Sequence, residues 1–494
     1  MGAKKRNIVI ALMVAMFLAA IEGTVVTTAM PTIAKDLKGF ELMSWVFSMY
    51  LLTSAISTPI YGKLSDMYGR KNILSIGIVI FIIGSALCGL SANIYQLIAF
   101  RAFQGLGAGA MLTVTFTIVG DNFSIEENAK VQSWLGSAWG IASLIGPFIG
   151  GFLIDFLSWR WIFLINLPFG ILAVILLQIN LKESFEKRKR SIDYPGALLL
   201  SISIVALLFG IMAGQKSNNL LAPSVLGLLA LTLISLVLFY FIEKRAKEPI
   251  VPFDIFTRTT ISVNMISFLV CAVMIGIDVY IPLYLQSVLG LSATISGLSL
   301  APMTITWLLS SIVLSKAIPR YGERIVVGTS ALIIVLSSLF LPILNISSPL
   351  VLVIICTSLM GIGIGGAFTT LAILVQASAE YDMRGAATAT NSLIKTLGQT
   401  LAVSILGVVF NSHITGYFNA LGVKGIKPDD LYSGAALAGG LPMEHIKISL
   451  NSALHFVFII LIFIGIACFL LSFTLSNNLK KNKVGTIKVK NSIE

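Results

Sequence analysis

The sequence predicts an all-α polytopic membrane protein, and three observations support this fold class. First, 56% of the 494 residues are hydrophobic and only 11% are charged, whereas a soluble globular chain has about 25% charged residues. Second, the apolar residues form runs of about 20, the length that crosses a bilayer as a helix. Third, these runs lack the alternating pattern of barrel strands, and a helix satisfies its backbone hydrogen bonds internally, as the bilayer interior requires.

Fourteen apolar runs define the predicted transmembrane helices. The first run contains an acid and lacks a small-residue cleavage site at its end, so we interpret it as a membrane helix and not as a signal peptide. An even number of spans places both termini on the same side of the membrane. The predicted spans are 7–29, 42–61, 72–91, 95–119, 130–155, 159–181, 193–213, 220–241, 259–285, 291–314, 324–343, 349–374, 387–410 and 450–474.

The basic residues are distributed unequally between the two sides of the membrane. With the N-terminus inside, 25 of the 34 Lys and Arg residues fall on the cytoplasmic face and seven on the opposite face. This asymmetry predicts a multi-pass protein of the cell (inner) membrane with both termini in the cytoplasm. The net charge of +12 then reflects membrane orientation, so we expect no nucleic-acid partner.

Weak internal similarity divides the chain into two halves. The segment Phe103–Ala110 recurs in outline as Leu359–Gly366, 256 residues later, and the turn Tyr68–Arg70 has a counterpart at Arg320–Gly322. Two halves related by an axis along the membrane normal are typical of transporters, which bind substrate between the halves near the midplane. The pair of helices between the halves is then an insertion.

We therefore predict three regions in the chain. Residues 1–181 form a first six-helix bundle, residues 182–257 form a charged linker with two inserted helices, and residues 258–494 form a second six-helix bundle with a cytoplasmic tail. The second bundle includes an outside loop at 411–449. We interpret this loop as a solvated hairpin, and a lid or a partner surface is the alternative.

Two acids lie deep in predicted spans, where a charge costs about 2.5–3.5 kcal/mol to insert. Glu22 is surrounded by threonines in the first helix, and burial favours the neutral form of a carboxyl group, so Glu22 is a candidate proton or cation site. Asp278 lies near Pro282 in the first helix of the second half. We interpret it as a second proton site or a contact for a cationic substrate, and an acid at the outer mouth without a coupling role is the alternative.

Two basic residues also fall inside predicted spans. Arg101 keeps its charge and needs an anionic partner or hydrated neighbours, and it can pair with an acid such as Glu22. Lys395 lies in the second turn of its predicted helix, from which a long side chain can snorkel to the membrane boundary. We expect snorkelling for Lys395.

Several chemistries find no support in the sequence. The four cysteines lie far apart in apolar runs, so we expect neither a disulfide nor a metal site. The sequence GxxxxGK[ST] is absent, which argues against an ATP-driven pump. No hydrolase or redox constellation stands out, so we expect a protein that is not an enzyme and has no cofactor.

The loop between the second and third predicted helices has the sequence GKLSDMYGRK. Gly62 and Gly69 permit tight turns, and Asp66 can cap a neighbouring helix. Arg70 can pair with an acid of the same face, for which Asp121 is a candidate. Such contacts would act as a latch that holds the two halves together in one conformation and releases them in another.

This loop resembles the signature loop of the major facilitator superfamily, and further motifs resemble its fourteen-helix drug:proton antiporter branch (EmrB/QacA-like multidrug exporters). The first-helix motif has Glu22 and Thr27 where that branch prefers Asp and Asn, and Ala142 replaces the usual first glycine of the helix-five motif. The matching segments are Ile21–Pro31, Gly62–Leu74, Leu97–Gly107, Gly146–Gly151 and Trp159–Gly170.

The resemblance implies a major facilitator fold, with two six-helix bundles plus two inserted helices, that exports drugs or other lipophilic compounds in exchange for protons. The proton gradient takes the place of a cofactor, the partners are small lipophilic or cationic substrates, protons and the lipid bilayer, and we expect a monomer. By this resemblance Glu22 is the protonatable acid, Arg101 the helix-four arginine, and Asp66 with Arg70 the gating pair. The residues that shape a hinge in helix five are Gly146, Pro147, Gly150 and Gly151.

Candidate substrate contacts follow from side-chain chemistry. Methionine and aromatic side chains adapt to varied ligands, which points to Met30, Trp139 and Tyr280 beside the acids Glu22 and Asp278. Two alternative functions are a proton-coupled importer on the same fold, against which the helix-five exporter motif argues, and a lipid flippase or membrane scaffold.

Overall fold

The computed structural model describes most of the predicted membrane-embedded chain. Within its described part the secondary structure is entirely helical, which confirms the predicted fold class. The described residues are 3–123, 125–181, 183, 193–217, 222–246, 249, 251, 253–378, 384–423, 428–432 and 442–475.

Sixteen α-helices fall within these ranges, and a π-helical turn, Tyr284–Val288, extends the tenth. The helices are α1 (Ala3–Asp36), α2 (Met43–Tyr68), α3 (Arg70–Gly89), α4 (Ile94–Asn122), α5 (Ile125–Phe156), α6 (Trp161–Leu164), α7 (Asn166–Asn180), α8 (Tyr194–Ser217), α9 (Pro223–Glu243), α10 (Arg258–Leu283), α11 (Ala293–Tyr321), α12 (Glu323–Phe340), α13 (Leu350–Ala377), α14 (Arg384–Ala420), α15 (Pro428–Tyr432) and α16 (Met443–Ser472).

Thirteen segments of the described chain are helical, long and apolar enough to cross a membrane. The short helix α6 and the helix α7 form one such segment, Trp161–Asn180. The remaining predicted span, 193–213, coincides with α8, whose described apolar part Pro195–Ile211 is shorter. Each of the fourteen apolar runs therefore corresponds to a helix, because a bilayer accepts a long apolar run only in that form.

Two groups of helices pack in the same pattern. In the first bundle (α1–α7), α1 packs on α5 and α7, and α4 packs on α2 and α3. In the second bundle (α10–α14 and α16), α10 packs on α14 and α16, and α13 packs on α11 and α12. The two predicted six-helix bundles are thus confirmed. The residue limits 1–181, 182–257 and 258–494 stay a prediction, since most of the connector 182–192 lies outside the described residues.

Glycines set the close approach of helices at matching positions in both bundles. A Cβ atom on Gly105 of α4 would collide with the backbone of α2, and one on Gly361 of α13 would collide with the backbone of α11. The following turns match as well, because Gly69 before α3 has a φ of 92° and Gly322 before α12 has a φ of 91°. Only glycine adopts this conformation readily. The weak sequence repeat is therefore a structural repeat.

The two bundles meet at the end of the molecule opposite the start of α1, which we call the distal end. The backbone N–H of Thr294 on α11 donates to the carboxylate of Asp155 on α5 at 2.9 Å. The side-chain amide of Gln286 donates to the backbone oxygen of Thr28 on α1 at 2.8 Å. These contacts close the distal end. The opposite end, where α1 begins and α16 ends, is called the terminal end.

The inserted helices α8 and α9 pack against each other and lie beside both bundles. Helix α8 contacts α2 of the first bundle and α14 of the second. The rings of Trp45 on α2 and Phe209 on α8 are 5.4 Å apart. Helix α9 exposes large apolar side chains such as Leu233 and Ile234, as a surface in contact with lipid requires.

Candidate functional site

Glu22 lies in the interior of the first bundle, with only 1% of its surface exposed. Helix α1 holds it between α4 and α7, so that each carboxylate oxygen has a partner. Oε1 forms an ion pair with Arg101, and Oε2 accepts a hydrogen bond of 2.6 Å from the side-chain amide of Asn166. The acid and the arginine that the sequence analysis selected are thus in direct contact.

Arg101 faces the core of the bundle and not the membrane boundary. Its Nη1 also donates to the side-chain oxygen of Gln104, one turn later on α4, at 2.8 Å. Its guanidinium carbon lies 4.0 Å from the centroid of the Tyr50 ring on α2. Its Nε donates to the backbone oxygen of Val46 at 3.4 Å. A buried arginine needs such partners because it cannot shed its charge.

Asn166 is a central residue of this site. The sequence analysis placed it within the matching segment Trp159–Gly170 but assigned it no role. It begins α7, and its side-chain amide donates both to Glu22 and to the hydroxyl of Ser85 on α3, the latter at 3.0 Å. Ser85 in turn donates to the backbone oxygen of Phe163 at 2.8 Å. The available signal was a lone amide side chain at a break in an otherwise apolar segment. We call Glu22, Arg101, Gln104, Asn166 and Ser85 the acid–arginine network.

The chemistry of the acid–arginine network follows from its burial. Removing one partner of a buried ion pair leaves an uncompensated charge and costs about 3–5 kcal/mol. A proton delivered to Glu22 has the same electrostatic consequence for Arg101 as loss of the acid. The contacts of Glu22 with Arg101 and Asn166 join α1 to α4 and α7, and loss of the charge on Glu22 would leave Arg101 without its counter-charge.

Asp278 on α10 lies outside the acid–arginine network. It is half-buried and makes no hydrogen bond or ion pair within the described part of the chain. Thr28 and Gln286 touch at 2.8 Å and set the register of α1 against α10. Glu22 lies six residues before Thr28 and Asp278 eight residues before Gln286, so both acids lie roughly 10 Å from that contact. The two acids are at similar depth in different bundles.

Hydrogen bonds join the loop before α3 to the connector that follows α7. The Glu183 carboxylate accepts hydrogen bonds from the backbone N–H groups of Arg70 at 2.8 Å and of Lys71 at 3.1 Å, which is a favourable place for an anion. The guanidinium of Arg70 donates to the backbone oxygen of Thr117 on α4 at 3.1 Å. Sequence analysis missed Glu183, because it lies in a run of charges without a pattern.

The other residues of the predicted latch lie at the same end. Gly69 supplies the left-handed turn, and a Cβ atom on Gly62 would lie 3.3 Å from the Thr113 side chain. Asp66 and Asp121 belong to α2 and α4, but their side chains lie outside the described residues. Their pairing in a latch stays a prediction.

The helix-five motif brings α5 close to the helix that carries Glu22. A Cβ atom on Gly146 would collide with the side chain of Thr24, and one on Gly150 would lie 3.0 Å from the backbone oxygen of Val25. Thr24 and Val25 follow Glu22 by less than one turn. The part of α1 that carries Glu22 therefore packs directly against α5.

The same motif also contacts the second bundle. A Cβ atom on Gly151 would collide with the backbone at Thr294, and Gly297 of α11 fits directly against the backbone oxygen of Pro147. Helix α5 consequently touches α1 on one side and α11 on the other. This places the motif between the acid–arginine network and the neighbouring bundle.

The predicted substrate contacts differ in their accessibility. Met30 and Tyr280 are fully buried in the apolar core near the distal end, so neither can touch a ligand in this conformation. Trp139 on α5 exposes 39% of its surface and is accessible. The prediction from residue type alone could not distinguish a core side chain from a lining one.

Comparisons with known proteins agree with this architecture. The family model described as Major Facilitator Superfamily matches residues 12–403. Multidrug transporter protein MdtP of Bacillus subtilis (strain 168) is 35% identical over 410 residues, which cover 83% of this chain and 76% of that protein. Multidrug resistance protein 3 of the same organism is 35% identical over 90% of this chain and 86% of its own length.

A solved structure shares the fold. A bacterial homologue of the human lysosomal transporter Spinster, in an inward-facing and unoccupied conformation, superimposes with a TM-score of 0.71. The alignment covers 96% of this chain and 98% of that chain, at 16% sequence identity. At this identity the likeness concerns the fold alone.

Proposed function

Because the chain belongs to the Major Facilitator Superfamily, we propose that it is a proton-coupled antiporter that exports lipophilic and cationic compounds by alternating access. Two relatives named for multidrug transport or resistance, each 35% identical, support the export of chemically varied compounds. The single observation that carries the coupling is the burial of Glu22 between Arg101 and Asn166.

Proton binding to Glu22 is the proposed switch. Ionised Glu22 holds Arg101 and Asn166 through its two oxygens, which fixes α1 against α4 and α7. A proton neutralises Glu22, so the carboxyl group becomes cheaper to bury and its attraction for Arg101 falls. Arg101 then depends on Gln104, the backbone oxygen of Val46 and the Tyr50 ring. The bundle consequently has two arrangements that differ by one proton.

Helix α5 is the proposed route from this switch to the second bundle. Gly146 and Gly150 of α5 pack against α1. Gly151 and the carbonyl group of Pro147 pack against α11. Side chains at these positions would hold the helices apart. Because the glycines keep the helices in direct contact, a displacement of α1 is passed on to α11. Opening of the distal contact between Thr294 and Asp155 completes the change of access.

We assign the terminal end to the cytoplasm, on the basis of the excess of Lys and Arg in loops at that end. The distal end, which the contacts of Asp155 with Thr294 and of Thr28 with Gln286 hold together, then faces outward. A membrane potential contributes about 2.3 kcal/mol per charge for each 100 mV, which favours inward proton movement. The protein works in the cell membrane as a monomer, with the proton gradient and no cofactor.

Asp278 is the proposed second acid. Its depth matches that of Glu22, and it has no bound partner within the described residues, so it is available to a proton or to a cationic substrate. Such an acid would adjust which substrates are carried, while Glu22 would set the exchange for protons.

The experiment is transport by Glu22→Gln in everted membrane vesicles. We expect the variant to lose ethidium-driven proton release and to lower ethidium transport at least 100-fold, because glutamine cannot exchange a proton. Glu22→Asp is the matched control and should retain measurable exchange, since it keeps the carboxyl group. Exchange at the wild-type rate in Glu22→Gln would rule out Glu22 as the coupling acid. Substrate accumulation in right-side-out vesicles would instead indicate an importer.

A further inference from the structure

Lys395 is a half-buried basic residue that the proposed coupling does not use. It lies in α14, inside the candidate span Ala387–Ala420 and about 12 Å from the start of that span. Its Nζ lies 3.9 Å from the centroid of the Phe368 ring on α13. The amine therefore rests on an aromatic face within the second bundle.

A second aromatic ring extends this surface. The rings of Phe368 and Trp307 on α11 are 5.6 Å apart and inclined by 59°. Lys395, Phe368 and Trp307 are all half-buried, so each keeps part of its surface accessible. Helices α11 and α14 are also the ones through which the second bundle contacts α5 and α2 of the first. Two of the three residues of the cluster thus lie on helices that form the interface between the bundles, the region where a transported molecule passes.

Lys395 forms no ion pair with a carboxylate in the described part of the chain, and the thiol of Cys271 on α10 lies close enough to interact with its amine. Asp278, the acid on α10, is too distant to serve as a counter-charge. Gly398 packs against the backbone of Phe268, which sets the register of α14 against α10. From that register, Asp278 lies roughly 20 Å farther toward the distal end than Lys395. The Phe368 ring offers partial compensation through its electron-rich face.

A ligand that complements an unpaired cation beside two aromatic rings needs two chemical features. The charge is stabilised by an anion, and the rings are covered best by a planar aromatic body. The acids Glu22 and Asp278 select the opposite charge and belong to other helices. The second bundle thus presents a feature that the export of cations does not explain.

We propose that Lys395, Phe368 and Trp307 form a substrate subsite for aromatic organic anions. Lys395 pairs with a carboxylate, sulfonate or phenolate group, and the two rings stack against the aromatic part of the same molecule. This inference rests on the proposed export function and extends its substrates from cations to anionic and zwitterionic aromatic compounds.

The test compares two dyes of opposite charge in everted vesicles, fluorescein as the anion and ethidium as the cation. The quantity measured is the ratio of their initial transport rates. We expect Lys395→Met to lower the fluorescein-to-ethidium ratio at least ten-fold. Lys395→Arg, which keeps the positive charge, should hold the ratio within about three-fold of wild type.

The outcomes separate the subsite from the export function. A ratio that does not change in Lys395→Met would overturn the subsite, including the case in which both rates fall equally. Wild-type protein that carries ethidium but not fluorescein would also overturn it and would leave the export function standing. If the wild-type protein transported neither dye, the subsite and the export function would both be rejected.

A binding measurement covers the case in which Lys395→Met does not fold. Fluorescein is titrated into the purified full-length chain in detergent and followed by fluorescence anisotropy. Phe368→Leu keeps the amine and removes the ring, and it should weaken fluorescein binding at least three-fold. Unchanged binding in Phe368→Leu would contradict the proposed stacking surface.

Discussion

The two bundles share a packing pattern but arrange their buried charges in opposite ways. In the first bundle, Glu22 and Arg101 are in direct contact, and each is only 1% exposed. In the second bundle, Asp278 and Lys395 form no ion pair within the described residues and lie on different levels. The same helix framework thus supports a closed network on one side and separated charges on the other.

The repeat itself explains this difference. Glu22 and Asp278 are separated by 256 residues, which is also the offset between the glycine positions Gly105 and Gly361. At the same offset Arg101 corresponds to Thr357, whose hydroxyl bonds to the preceding turn of its own helix at 3.0 Å. The second bundle therefore has the acid of the first without its arginine. Similar packing requires similar small residues, whereas charge placement depends on single positions.

The largest expected effect compares the two acids in transport. Asp278→Asn should lower ethidium transport less than ten-fold and keep proton release, because the exchange is assigned to Glu22. Glu22→Gln should lower transport at least 100-fold. The measurement is ethidium transport and proton release in two vesicle preparations, each with the same amount of one variant. Equal losses in the two variants would mean that the bundles share the coupling role.

The second comparison concerns the stability of the protein and the two cations inside the helices, Arg101 and Lys395. Arg101→Met leaves Glu22 buried without its partner and should cost about 3–5 kcal/mol. Lys395→Met removes a charge that has no counter-ion in the described structure, so the melting temperature should stay the same or rise. Thermal unfolding of both purified variants in the same detergent measures the difference. A larger loss in Lys395→Met would reveal an ion pair in the second bundle.

The smallest expected effect concerns a feature that the two bundles share, the glycine turns before α3 and α12. Gly69→Ala and Gly322→Ala each force a side chain into a left-handed turn, with φ values of 92° and 91°. Each should cost about 1–2 kcal/mol, and the two costs should be similar. The same unfolding measurement applies. A much larger loss of stability in Gly69→Ala would show that the neighbouring Glu183 carboxylate, 3.0 Å from the added Cβ, cannot move away.

Much of the fold was predictable from the sequence, and so were the principal charges of the site. All fourteen apolar runs correspond to helices, since hydropathy is a local property and the bilayer permits few alternatives. Glu22 and Arg101 were identifiable because a charge inside an apolar run is costly. Asn166 was part of a matching segment but was assigned no role, because an uncharged amide gives a weaker signal. Met30 and Tyr280 were named as candidate substrate contacts and are buried in this conformation, because residue type does not report which face of a helix is covered.

By itself, the sequence determined the number and order of the spans, the unequal distribution of basic residues and the identity of the buried charges. Only the tertiary structure decided that Glu22 meets Arg101, 79 residues away, and Asn166, 144 residues away. It also decided that Asp278 stays apart and that the amine of Lys395 rests on Phe368. The physical reason is that partners depend on how each helix is rotated and how closely glycines let it approach its neighbours, and both are properties of packing.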